Sequence, residues 1–298
     1  MTSPPSAHKA RRSSAAQAYP AWFFIPAAVV FGVLFLVPML SSFYFALTRW
    51  TLFESTFIGL ENFEQFFLEP FLIKGLVNTL IYAVVTSGLK VVFGMALAVV
   101  LTSPIAFRDL LRSIIFFPVL VSTVGVGLTF TVLMHPDHGL INQVLASVGI
   151  EGPSWLTDPR YALLSVALVD VWKGVGLATL IYIAGIVAIP TEYFEAASIE
   201  GANWRQQFTR VTLPLARPAT VTVVILSFIS GLRSFDLIWA MTRGGPGFTT
   251  DVIASVIYKQ YQAGFYGLST AGNVVLFVLI SALVVPLYLR LNRKESQS

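Results

Sequence analysis

The chain has 298 residues, of which 56% are hydrophobic and only 11% charged, with a mean hydropathy of +0.76. Soluble domains carry roughly 25% charged residues, so this composition excludes an ordinary water-soluble fold. The absence of cysteine also excludes a disulfide framework, a thiolate metal site and a cysteine nucleophile. The net charge of +4 is modest, and no nucleic-acid partner is expected from it.

The first eighteen residues, MTSPPSAHKARRSSAAQA, are rich in Pro, Ser and Ala around a small basic cluster. They are expected to form a disordered cytoplasmic tail (1–18) ahead of a membrane domain (19–298). The apolar run that follows is longer than the roughly 7–15 residues of a signal-peptide core, and no small-x-small site closes it. It reads as an uncleaved first span. Six runs reach the ~20 residues a helix needs to cross a bilayer: 20–47, 75–101, 112–134, 161–189, 218–241 and 267–289. They are too long for buried strands and lack alternation. A transmembrane barrel would show alternating segments of about ten residues. The expected class is an all-α integral membrane protein with six transmembrane helices.

Orientation follows the Lys/Arg bias of short loops. With the amino terminus inside, Lys9, Arg11, Arg12, Arg108, Arg112, Arg205, Arg210, Arg217, Arg290, Arg293 and Lys294 face the cytoplasm. The other side receives Arg49, Lys74, Arg160, Arg243 and Lys259. Eleven against five places both termini, and the connection between the fourth and fifth spans, in the cytoplasm.

That connection, 190–217, contains the stretch EAASIEGANWRQQFTRVTLPLARP. Thr191 is expected to cap a short helix over 192–197, with acidic residues near its positive end. Gly201 supplies a stop. Asn203 opens a second helix with Gln206 in capping-box position, Pro214 ends it, and Pro218 suits the first turn of the next span. A simple connection needs only a handful of residues and no paired caps. Two other readings are a helix on the membrane surface and a rigid, partly apolar element offered to a cytoplasmic partner.

Glu195-Ala196-Ala197, three residues, Gly201, nine residues and Val211-Thr212-Leu213-Pro214 resemble the EAA loop of permease subunits of ATP-binding-cassette importers. The family pattern is E-A-A-x3-G-x9-I-x-L-P, met here with Val211 for isoleucine. More narrowly the chain is similar to sugar permeases of the maltose and glycerol-phosphate type. Asp170-Val171-Trp172-Lys173, Ser234-Phe235-Asp236-Leu237-Ile238 and Thr242-Arg243-Gly244-Gly245-Pro246 extend that likeness. It runs from about Pro20 to Leu291. The resemblance implies a type I importer permease (MetI-like) fold in the bacterial cytoplasmic membrane. It further implies a second permease, two copies of an ATPase subunit and an extracytoplasmic solute-binding protein. Glu195, Ala196, Ala197, Gly201, Leu213 and Pro214 would couple to the ATPase. The chain contains no G-x-x-x-x-G-K-[ST] loop, so ATP and Mg would be bound by partner chains, with no cofactor on this one.

Ionisable side chains within spans are functional candidates by default: Lys90, Asp170, Lys173, Arg233 and Asp236. Asp170–Lys173 and Arg233–Asp236 are spaced as intrahelical ion pairs, and Lys90 is expected to snorkel or to find a carbonyl. The resemblance places a substrate path at Asp170, Lys173, Gly174, Leu177, Ser227, Ser230, Gly231 and Arg233. A hydroxyl-rich ligand would use Asp and Ser there; a phosphorylated one would call on Lys173 and Arg233. His135 and His138 lack a third ligand nearby, so no metal site is assigned. Gly244-Gly245-Pro246 reads as a tight turn. No catalytic set stands out, and the chain is not expected to be an enzyme. The competing readings are an ion- or proton-coupled secondary transporter using Asp170 and Asp236, and a membrane scaffold.

Overall fold

The computed structural model describes residues 21–293 except Leu52. The expected tail at 1–18 lies outside the described residues. Among the described residues, four helices are long and apolar enough to cross a membrane: α1 (Trp22–Phe45), α3 (Pro70–Thr102), α7 (Ala162–Val187) and α13, whose apolar part is Tyr266–Leu291. Two bent pairs raise the number to six. Helix α1 is apolar all round, with Phe24 and Leu34 about 70% exposed. Such a surface is stable only against lipid or another apolar helix.

The third run is two helices, α4 (Arg108–Leu120) and α5 (Thr123–Leu133), bent by 98°. This corrects the single span expected at 112–134. Pro118 lies inside α4 and removes a backbone donor, Val121 is extended, and Ser122 starts α5 by accepting the Gly125 amide. The fifth run also divides. Helix α10 (Arg217–Leu232) stops at Arg233, and a separate short α11 (Asp236–Met241) follows. The run expected to continue to Met241 therefore breaks at Arg233–Phe235.

Helices α3, α7 and α10 form the centre. One core cluster joins Met95 and Ala98 of α3, Tyr182 and Ile186 of α7, and Ala219 and Val223 of α10. A second joins Tyr82 of α3 with Val166 and Val169 of α7, Val126 of α5 and Leu237 and Ile238 of α11. The two breaks are therefore held against the same pair of long helices.

Shorter elements that the sequence reading lacked pack around this frame. They are a hairpin (β1 Thr48–Trp50, β2 Ser55–Phe57) and helices α2 (Glu61–Leu68), α6 (Leu140–Ser147) and α12 (Ile253–Gln262). The Asn62 amide donates to the carbonyls of Ala46 (2.9 Å) and Thr48 (2.8 Å), fixing α2 beneath the end of α1. Gly244-Gly245-Pro246 does form a turn. The segment after it is pinned to α3: Asn78 donates to the carbonyls of Thr249 and Asp251, and Thr79 accepts from the Ile253 amide. Asp251 is 1% exposed and is satisfied by Lys259 at 2.7 Å and the Ser255 hydroxyl at 2.7 Å. Lys259, counted above among the loop cations, lies instead on α12.

Candidate functional site

Two features stand out, a projecting loop and a charged cleft. The loop opens with α8 (Thr191–Ile199). Thr191 is its first residue and not its cap; Pro190 holds the cap position with no side-chain hydrogen bond. The helix ends in a Schellman motif. Gly201 has φ +79°, its amide donates to the Ser198 carbonyl (3.0 Å), and the Ala202 amide donates to the Ala197 carbonyl (2.9 Å).

Helix α9 (Trp204–Leu215) then begins with a complete capping box. The Asn203 side chain accepts from the Gln206 amide, and the Gln206 side chain accepts from the Asn203 amide. Pro214 does not end this helix, contrary to expectation. A wider turn over Phe208–Thr212, closed by the Leu213 amide on the Phe208 carbonyl, carries the chain through it. The helix stops at Leu215, and the bend into α10 is 67°. Pro218 sits in the first turn of α10, as expected.

The Gln207 amide bonds both the Ser198 hydroxyl and the Ala202 carbonyl, so α8 and α9 form one rigid unit. Its outer surface is bare: Glu195, Ala196, Gly201, Leu213 and Pro214 are exposed, and Ala197 is half-buried. Ile199 is 87% exposed and Trp204 65%. Replacing Asn203 with alanine should cost about 1 kcal/mol of local stability. Hydrogen exchange should then show the amides of Gln206 and Gln207, both bonded to Asn203, exchanging roughly fivefold faster.

The second feature is a cleft of about 530 Å³ between α7, α10 and the two helix breaks. Val119 and Thr123 flank the α4–α5 break, and Arg233, Ser234, Phe235 and Asp236 make the α10–α11 break; all six line it. Irregular backbone at membrane depth is tolerated where it faces a cavity, and here both irregularities face the same one.

Of the residues expected on a substrate path, Asp170, Lys173, Gly174, Leu177, Ser230 and Arg233 line this cleft. Ser227 is buried and lines a narrower extension of about 90 Å³ together with Lys90 and Gly174. Gly231 faces elsewhere. A Cβ on it would meet the Ala83 Cα at 2.6 Å and the Thr86 hydroxyl at 2.9 Å, so it serves the contact between α10 and α3.

The charges pair differently from the i,i+3 expectation. Lys90 Nζ donates to Asp170 Oδ2 at 2.8 Å, across from α3 to α7, with the two side chains 5% and 18% exposed. Lys90 therefore neither snorkels nor settles for a carbonyl. Gly174 makes room for it: a Cβ there would stand 2.7 Å from Lys90 Cε and 2.9 Å from Nζ. The Arg233–Asp236 pair does not form, because the helix that would align the two residues is broken between them. Sequence reasoning missed Lys90 as Asp170's partner and the contributions of Ser234 and Phe235. The signal for the first was a lone cation and a lone carboxylate in separate spans. The His135 and His138 rings stack at 5.5 Å, and no group of three or more His, Cys, Asp or Glu gathers among the described residues.

Residues 90–297 match the family described as binding-protein-dependent transport system inner membrane component. The chain belongs to that family. It is a multi-pass membrane protein and a non-catalytic permease subunit of an ATP-binding-cassette importer. This permease is 31% identical to the trehalose/maltose transport system permease protein MalF of Thermococcus litoralis, over 90% of this chain and 92% of the relative. It is also 31% identical to the sulfoquinovosyl glycerol transport system permease protein SmoG of Agrobacterium fabrum, over 91% and 89%. A crystal structure of a bacterial alginate ABC transporter contains a chain of the same fold. The TM-score is 0.82 at 23% identity, covering 93% of the permease and 94% of that chain.

Proposed function

We propose that this permease carries a sugar or sugar-like solute inward across the bacterial cytoplasmic membrane, driven by ATPase subunits that grip the 190–217 loop. The observation that carries the reading is the α8–α9 unit. It is rigid by its Schellman motif, capping box and Gln207 bridge, yet it leaves Glu195, Ile199 and Trp204 uncovered. A rigid, exposed, partly apolar projection suits a helix-in-groove contact. Ala196, Ala197, Gly201, Leu213 and Pro214 belong to the same surface or its hinges. ATP and Mg are bound by those partners, as the chain has no phosphate loop of its own.

The rest of the assembly follows from the same reading. A second permease completes a path that six helices enclose poorly, and an extracytoplasmic binding protein delivers solute. Both termini lie in the cytoplasm. The sugar class is supported by the names of the relatives, which include carriers of trehalose/maltose and of sulfoquinovosyl glycerol. Their differing cargoes leave the individual sugar to experiment. Alternating access would rock the two permeases about the cleft, with nucleotide binding supplying the differential free energy.

In proteoliposomes holding the whole importer, uptake should require ATP and be blocked by vanadate. Glu195→Lys should reduce uptake to background while the chain remains in the membrane. Uptake by the unaltered importer that persists without ATP and collapses with an uncoupler would instead favour an ion-coupled carrier.

A further inference from the structure

The charges of the cleft bear on which sugars it accepts. Five ionisable side chains line it: Lys90, Lys173, Arg233, Asp170 and Asp236. Lys90 and Asp170 cancel each other in direct contact at 2.8 Å. Among the described residues, Lys173 and Arg233 have no carboxylate within 4.0 Å, and Asp236 has no cation within that distance.

Arg233 and Asp236 sit at opposed helix ends. Arg233 follows the last residue of α10, where the helix dipole favours a cation, and Asp236 opens α11, where it favours an anion. Their formal charges also offset one another. Lys173 is then the charge left over. It is half-buried on α7, one turn beyond Asp170, and Asp170 is turned away from it toward Lys90.

An uncompensated ammonium at membrane depth requires a counter-charge. Neutral sugar hydroxyls hydrogen-bond to it but leave the charge in place. A carboxylate or sulfonate neutralises it and adds charge-assisted hydrogen bonds. Phe235, packed against Trp239 and Tyr258, adds apolar surface to the same wall.

Resting on the importer reading above, we infer that the cleft selects a sugar bearing an acidic group. Lys173 is the principal contact, Arg233 lines the same cleft, and Lys90 sets the sign of the site by cancelling Asp170. Without Lys90 the same cleft would hold two cations against two carboxylates and no longer favour an anion.

The test measures sugar-stimulated ATP hydrolysis by the whole importer with its binding protein. Vesicles of phosphatidylcholine alone keep anionic lipid out of the cleft. The probes are matched pairs: α-1,4-galactotriose with trigalacturonate, and glucosylglycerol with its 6-deoxy-6-sulfonate. An acidic member should stimulate hydrolysis and its neutral match should not. Lys173→Gln should weaken the acidic response about tenfold, the loss of one hydrogen bond to a charged group. The double variant Lys90→Met with Asp170→Asn leaves the net charge of the cleft unchanged and should keep the acid-over-neutral ratio. Preference for the neutral members, or an acid preference unaltered by Lys173→Gln, would overturn the inference while leaving the importer reading intact. A response to none of the four sugars would overturn this inference, while the importer reading stands or falls on the vanadate-sensitive uptake assay above.

Discussion

Gly201→Val is expected to abolish ATP-driven uptake while leaving the chain at its normal level in the membrane. The reason is backbone conformation and not crowding. Gly201 has φ +79°, and a Cβ built on it meets nothing within 4 Å. An L-residue in the left-handed region pays roughly 1–2 kcal/mol, and a β-branched one is a genuine outlier there. That strain falls on an exposed two-helix unit held at this corner by the Ser198 and Ala197 carbonyl bonds, so the corner reopens before the membrane helices are disturbed. The angle between α8 and α9 is then lost, and with it the surface offered to a partner. Asparagine tolerates this conformation best after glycine. Uptake should therefore fall in the order Gly201, Asn, Ala, Val. A steric role would instead rank the substitutions by volume. Equal uptake by all four would remove Gly201 from the mechanism.

Lys90→Met is expected to be the most damaging single change in the membrane core. It leaves Asp170 without its cation, and breaking one side of a buried pair typically costs about 3–5 kcal/mol. The loss should appear as a large fall in thermal stability in detergent together with loss of uptake. Adding Asp170→Asn removes the stranded charge, and stability should largely return because two neutral side chains then share the space. Gly174→Ala should mimic the single variant in part, since its Cβ would press on the Lys90 side chain. If Lys90→Met alone left stability unchanged, the contact between α3 and α7 would not be the structural pair its 2.8 Å distance and burial indicate.

Much of the fold was legible because lipid imposes a simple rule: long apolar runs become helices. Caps were legible where the chemistry is local. Asn203 with Gln206 and the left-handed Gly201 each depend on a few consecutive residues, and the structure has both. The helix breaks were not read. Pro118 and Ser122 sit inside a run whose hydropathy hides them, and the α10–α11 break at Arg233–Phe235 has no proline at all. Those breaks line the cleft, so the path residues were named by likeness before there was a cavity to place them in. The charge pairing was misread for a related reason. Spacing of three along one helix suggested Asp170 with Lys173, whereas the partner lay on another helix, eighty positions earlier in sequence. The resemblance put Gly231 and Gly174 on the path; Gly231 packs against α3, and Gly174 accommodates Lys90.

The central claim is that a separate ATPase grips the α8–α9 unit. The chain contains no cysteine, so Ala196→Cys creates a unique thiol on the exposed face of α8. A maleimide photocrosslinker placed there, in the assembled importer, should form one adduct with the ATPase subunit. The yield should change when vanadate traps the nucleotide state, and Leu34→Cys on the bare face of α1 should give none. An importer that remains active yet yields no ATPase adduct from position 196, or the same yield from position 34, would contradict the account.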